Sequence, residues 1–151
     1  RGMKRKKLNS DANMRMHAND ANKNRDLIHP ELSYLLTGLF YKTHNKLGRF
    51  CREKQYSDEF KKLLIESGIR YEREYPLKSM GDKIEGNIVD FIVDQKILID
   101  LKAKRFLTKE DYYQMLRYLE CSKIKLGLLV NFRSTYLKPK RVLNNKLASF
   151  A

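Results

Sequence analysis

Residues 86–104 constrain the fold of this chain more than any other stretch. They read Gly-Asn-Ile-Val-Asp-Phe-Ile-Val, then Asp94-Gln95, then Lys-Ile-Leu-Ile-Asp-Leu-Lys-Ala-Lys. Two apolar, β-branched runs parted by a short polar break predict a β-hairpin. Side chains alternate along a strand, so Leu98, Asp100 and Lys102 share one face of the second run and Ile97, Ile99 and Leu101 the other. Asp100 and Lys102 then stand about 6.5–7 Å apart, and Asp90 of the first run can join them across the hairpin. A carboxylate in an otherwise apolar strand costs desolvation unless it is paired or bound to a cation. A D-x-K pair also arises as a simple cross-face ion pair, which spacing alone leaves open. Two carboxylates and an ammonium are nonetheless the groups that phosphate chemistry uses. The oxygens hold a hard divalent cation such as Mg²⁺, and the lysine orients or deprotonates a water for attack on a phosphodiester.

The flanking segments supply helices. Leu32, Leu35, Leu36, Leu39, Phe40, Thr43 and Leu47 recur with a 3.6-residue period from Pro30, predicting an amphipathic helix that ends near Gly48. Tyr56, Phe60, Leu63 and Leu64 predict a second, stopped at Ser67-Gly68. Residues 69–76 alternate as a strand, a turn is expected around Ser79–Asp82, and with the hairpin this makes a three-stranded antiparallel meander. Thr108 has the chemistry of an N-cap, with Glu110 and Asp111 in the first turn and Tyr112, Met115, Leu116 and Leu119 turned inward. Residues 124–130 form a nearly unbroken apolar run suited to a buried strand, and a short last strand is expected near 141–143. The order is α-α-β-β-β-α-β with a further short β, an α/β class.

A length of 151 residues suits one domain. Lys and Arg number 32 against 18 Asp and Glu, giving a net charge of +14 and a pI near 9.8. Residues 1–26 carry only +5 of that excess, so the remainder is itself basic, which favours a polyanionic partner. Residues 1–28 mix Lys, Arg, Asn, Asp and Met without period and are expected to be a disordered basic arm, with the domain at 29–151. With Arg1 ahead of Met3, Met14 and Met16, part of that arm is expected to be an upstream extension of the natural start. Cys51 and Cys121 make no disulfide framework and no zinc spacing and read as reduced thiols. His17, His29 and His44 are scattered and receive no catalytic role. No apolar run approaches the ~20 residues that span a bilayer, and no signal core follows the basic start, so a cytoplasmic protein without a membrane partner is expected.

This order of elements, with an acidic pair and a lysine on the second and third strands, resembles the PD-(D/E)XK nuclease superfamily, whose restriction-endonuclease-like core is a central mixed sheet flanked by helices. Asp90 and Asp100-x-Lys102 match its signature. From Leu36 to Arg141 the chain is more closely similar to the small bacterial GxxExxxR proteins assigned to that superfamily. The landmarks are Leu-Thr-Gly at 36–38, His44 with Leu47-Gly48, Glu53 with Tyr56, Asp90, Asp-Leu-Lys-Ala at 100–103, Gln114 with Tyr118, and Gly-Leu-Leu-Val-Asn-Phe at 127–132. There are departures. Val89 replaces the proline before the first acid, and Asp100 replaces the commoner Glu; both keep oxygen ligation. Phe50 and Ser57 stand where the smaller family has its name-giving glycine and arginine, so only Glu53 of that string is intact.

The resemblance implies that Asp90, Asp100 and the Leu101 carbonyl hold Mg²⁺ or Mn²⁺, with Glu53 completing the shell directly or through water. Lys102 would position or activate the water and offset charge in the transition state. Gln114 and Tyr118, four apart on a helix, would contact the metal-site residues or the nucleic-acid strand, and Lys104 and Arg105 would bind phosphate. Plainer readings stand beside these: Glu53 as a surface carboxylate between Arg52 and Lys54, Gln114 and Tyr118 as packing, Lys104 and Arg105 as solvated charges. The implied function is metal-dependent hydrolysis of nucleic-acid phosphodiester bonds, with DNA the expected substrate; the alternative is a non-catalytic nucleic-acid-binding module of the same fold. A homodimer stays open, because no heptad or isolated apolar face declares an interface.

Overall fold

The computed structural model describes residues 28–77 and 87–145; of the basic arm expected over 1–28, residues 1–27 lie outside them, as does the expected turn at Ser79–Asp82, while Ile28 packs against the core. Helix α1 (Pro30–Leu47) stops where Gly48 takes φ 76°, a conformation open to glycine, and donates its N–H to the His44 carbonyl. Helix α2 (Glu53–Glu66) starts with the Gln55 side chain accepting the Arg52 N–H and ends at Ser67, with Gly68 at φ 67°. Leu36, Leu39, Phe40 and Thr43 of α1 and Tyr56, Phe60 and Leu64 of α2 are buried. Leu35, expected in the stripe, is 55 % exposed. At 100° per residue it lies well to one side of the line through Leu36, Leu39 and Phe40, and one covering layer buries only that line.

Strand β1 (Tyr71–Pro76), β2 (Ile88–Val93) and β3 (Ile97–Lys102) form the antiparallel meander. Asp94 and Gln95 at the β2–β3 turn both take positive φ, 51° and 56°, the two-residue geometry that matches strand twist. Helix α3 (Lys109–Ser122) crosses over to β4 (Leu126–Asn131), which runs parallel to β3, and β5 (Lys140–Leu143) adds antiparallel to β4. The sheet order is β1-β2-β3-β4-β5. Among the described residues, three helices on a five-stranded mixed sheet make the restriction-endonuclease-like arrangement that the family resemblance implies.

The alternation along β3 sorts its side chains as expected. Ile97, Ile99 and Leu101 pack with α1 and α2 in one core, and Leu98 packs with Met115, Tyr118 and Leu119 of α3 in another. The first core is aromatic: Phe40 stacks on Phe60 at 4.7 Å and Tyr56 on Phe132 at 4.4 Å, pairs worth about 0.5–1.5 kcal/mol beyond burial. The Tyr56 hydroxyl also donates to the Gly48 carbonyl at 2.5 Å, fixing the α1–α2 loop. On α3 the sheet-facing stripe is Asp111, Met115, Tyr118 and Leu119. Tyr112, expected inward, sits in the first turn and is 39 % exposed. No described helix is long and apolar enough to cross a membrane.

Candidate active site

Strands β2 and β3 stay paired from Val93–Ile97 to Phe91–Ile99, and the ladder ends there. One residue further along, the Asp90 side chain replaces the missing backbone acceptor: its Oδ2 takes the Leu101 N–H at 2.7 Å. Asp100 is 5 % exposed. Its Oδ2 lies 2.9 Å from the Lys102 ammonium, which also donates to Gln114 Oε1 at 3.0 Å and stands 4.0 Å from Asp111 Oδ1. Both carboxylates and the lysine therefore meet where two strands part, on the face that α3 covers.

Burial pushes the Asp90 carboxyl up to about 7, and the negative charge of Asp100 adds to the effect against the opposing Leu101 N–H. Burial works against the Lys102 ammonium, but Asp100, then Glu53 and Asp111, outweigh it and hold its pKa above that of an ordinary lysine. Burial raises the pKa of the Tyr118 hydroxyl, and the charges of Asp100 and Asp90 raise it further.

The loop after β3 is fixed from two sides. Asn131, opposite Lys102 in β4, accepts the Lys104 N–H at 3.0 Å and donates to the Lys104 carbonyl at 2.8 Å. Asp111 caps α3 together with Thr108, the two side chains bonding each other's backbone N–H, and it also holds the Lys104 ammonium at 2.8 Å. Burial of Asp111 would raise its pKa, yet the bonds from Lys104 and Thr108 bring it below the usual carboxylate value. Glu53, at the start of α2, reaches the same sheet edge from the opposite layer, its Oε2 3.4 Å from the Ala103 N–H.

Of the sequence-expected residues, Asp90, Asp100, Lys102 and Gln114 lie together, with Tyr118 buried beside them. Glu53 borders the group through Ala103 and does not touch the acids. Lys104 is already paired with Asp111, whereas Arg105 is exposed. Asp111 and Asn131 organise the site, and the sequence gives neither a site role: Asp111 stands there as a first-turn acid and Asn131 as part of the 127–132 landmark. The signal for Asp111 was the N-cap at Thr108; for Asn131 it was a buried amide, 6 % exposed, at the end of an apolar strand.

Among the described residues no three His, Cys, Asp or Glu side chains converge enough to hold an ion by themselves. The donor set still suits a hard divalent cation: two carboxylates share one niche in which burial first, and the charge of Asp100 second, disfavour ionised Asp90, and a cation would favour that ionised form. Mg²⁺ is commonly held by one or two carboxylates, with water and substrate phosphate completing the shell. A family model described as the PD-(D/E)XK nuclease superfamily matches residues 30–142. Comparison with curated proteins and with solved structures gives no match.

Proposed function

Because the chain belongs to the PD-(D/E)XK nuclease superfamily, we propose that it is a divalent-metal-dependent nuclease that hydrolyses DNA phosphodiester bonds at Asp90, Asp100 and Lys102. The observation that carries this reading is the meeting of the buried Asp100 and the partly buried Asp90 with one lysine at the end of the β2–β3 ladder. PD-(D/E)XK nucleases are generally metal-dependent; Asp90, Asp100 and the Leu101 carbonyl would hold Mg²⁺ or Mn²⁺, with Glu53 contributing through water. The bound ion would supply Lewis-acid polarisation of the phosphate and a more acidic water.

The chain's own groups do the rest. Lys102, held between Asp100 and Gln114, orients the attacking water and offsets the charge that builds on the phosphate oxygens. Gln114 fixes the direction of the ammonium, Tyr118 closes the site from below, and Arg105 with Lys104 meets the flanking phosphates. Within the superfamily we place the chain with the GxxExxxR proteins on its spaced landmarks from Leu36 to Arg141. Residues 29–151 form its domain, and it works in the cytoplasm.

The test is cleavage of supercoiled plasmid and of single-stranded DNA in Mg²⁺ or Mn²⁺, with EDTA as control. Asp100→Ala abolishes cleavage, Lys102→Ala slows it about 10²–10³-fold, and both keep DNA binding. A wild-type protein that binds, with affinity falling steeply as salt rises, but never cuts would leave only the non-catalytic module.

A further inference from the structure

Three loops lie around the sheet edge that carries the acids: the α1–α2 loop ahead of Glu53, the β3–α3 loop after Lys102, and the β4–β5 loop after Asn131. Each presents an aromatic ring to solvent. Phe50 is 74 % exposed, Phe106 71 % and Tyr136 81 %. Two of the rings carry guanidinium groups. Arg49 lies 4.8 Å and Arg133 5.6 Å from the Phe50 centroid, and Arg105 lies 5.8 Å from that of Phe106.

Several cations of the described surface are paired with acids. Lys46 pairs with Glu59, Lys54 and Arg73 pair with Asp58, and Arg70 pairs with Asp94. Among the described residues Arg49, Arg105 and Arg133 meet no carboxylate, and the buried Arg133 Nε has no hydrogen-bond partner. The edge is also braced. Arg49 Nε donates to the Arg133 carbonyl at 2.8 Å, His44 Nε2 to the Ser134 carbonyl at 2.9 Å, and the Tyr41 hydroxyl to the Leu137 carbonyl at 3.2 Å. These bonds hold the β4–β5 loop to the end of α1 and to the α1–α2 loop before any ligand arrives.

Unpaired guanidinium groups answer phosphates; exposed phenyl rings do not. A duplex buries its base faces in the stack and shows a protein its backbone and groove edges, for which cations and hydrogen-bonding groups suffice. A single strand offers base faces, and phenyl and guanidinium planes are what stack on them. We infer that Phe50, Phe106 and the arginines around them form a ledge that stacks the unpaired bases of a strand whose phosphodiester lies at Asp90, Asp100 and Lys102. The substrate class is then single-stranded or frayed nucleic acid rather than intact duplex. The inference rests on the nuclease reading above.

The test is fluorescence anisotropy of the full chain in EDTA with oligothymidylate, oligouridylate and a blunt hairpin duplex of equal nucleotide number, beside cleavage assays in Mn²⁺. Wild type binds the single strand more tightly than the duplex. The Phe50→Ala/Phe106→Ala pair loses about tenfold in single-strand affinity and little for duplex. Phe50→Leu/Phe106→Leu, which keeps apolar bulk without the ring, shows the same loss and guards against misfolding of the alanine pair. Equal binding of oligouridylate also supports the ledge, since bases rather than sugar are read. Tighter duplex binding by wild type, or ring variants within about twofold of wild type on the single strand, overturns the inference while cleavage in Mn²⁺ leaves the nuclease reading standing. Neither binding nor cleavage of any nucleic acid overturns both.

Discussion

The Asp90 carboxylate accepts the Leu101 N–H at 2.7 Å directly past the last β2–β3 ladder pair, Phe91 against Ile99. A side chain thus takes over from a main-chain carbonyl at the point of separation. That substitution brings the Asp90 carboxyl toward Asp100 and leaves both in a niche with a single ammonium.

The raised pKa of Asp90 gives metal-free stability a definite pH slope. The folded-state value is about 7 against an ordinary 3.8, so the folded protein binds the extra proton. The associated stability is full below about pH 4 and is lost as pH rises through about 7. Urea midpoints in EDTA, taken as wild type minus Asp90→Asn, fall across that window. The amide of this variant keeps an oxygen for the Leu101 N–H but does not ionise, so a pH-independent difference would count against the assignment.

Metal should act in the opposite direction. Millimolar Mg²⁺ or Mn²⁺ at pH 8 raises the melting temperature by several degrees, since an ion that binds only the folded state stabilises it by mass action, about 2.7 kcal/mol at a hundred times Kd. EDTA reverses the shift. Asp90→Ala and Asp100→Ala lose it, and differential scanning fluorimetry reads the outcome.

Lys102→Ala lowers kcat about 10²–10³-fold while leaving KM for DNA nearly unchanged. A loss confined to KM would place this lysine in binding alone. Steady-state cleavage of a labelled oligonucleotide separates the two.

Asn131→Ala removes the paired bonds to the Lys104 backbone. Stability drops by about 1–3 kcal/mol, because a buried amide pair loses its partner. Cleavage falls further than binding as the β3–α3 loop drifts from the acids. Asn131→Asp, which keeps one acceptor and loses the donor, recovers part of the urea midpoint at most.

Gly127 of β4 faces Met115 of α3, and a Cβ there would collide with the Met115 Sδ and Cγ. Gly127→Val destabilises by about 1–3 kcal/mol through overpacking. Adding Met115→Ala recovers part of that cost, and a double-mutant cycle on urea midpoints measures the coupling.

Much of this arrangement was legible in the residues. The hairpin announced itself through β-branched runs around Asp94-Gln95, and alternation along β3 correctly assigned Leu98 and Ile99 to opposite cores. Thr108 behaves as the cap that its chemistry predicts. Leu35 and Tyr112 were misjudged because helical period marks a stripe without fixing how wide a layer covers it. The sequence places Asp111 in a first helical turn and Asn131 in a landmark string without giving either a site role, since their contacts with Lys104 form only once α3 and β4 pack beside the end of β3. The Phe50 ledge was invisible for the same reason: residues 49 and 133 are neighbours only after folding.

The discomfort of Asp90 also bears on how such a chain could change over generations. A single exchange to asparagine would silence the chemistry and relax the resting protein at once, so decay to a non-cutting relative runs downhill, as trade-offs between activity and stability often do. Selection for cutting, not for folding, would be the force that keeps an acid at this position.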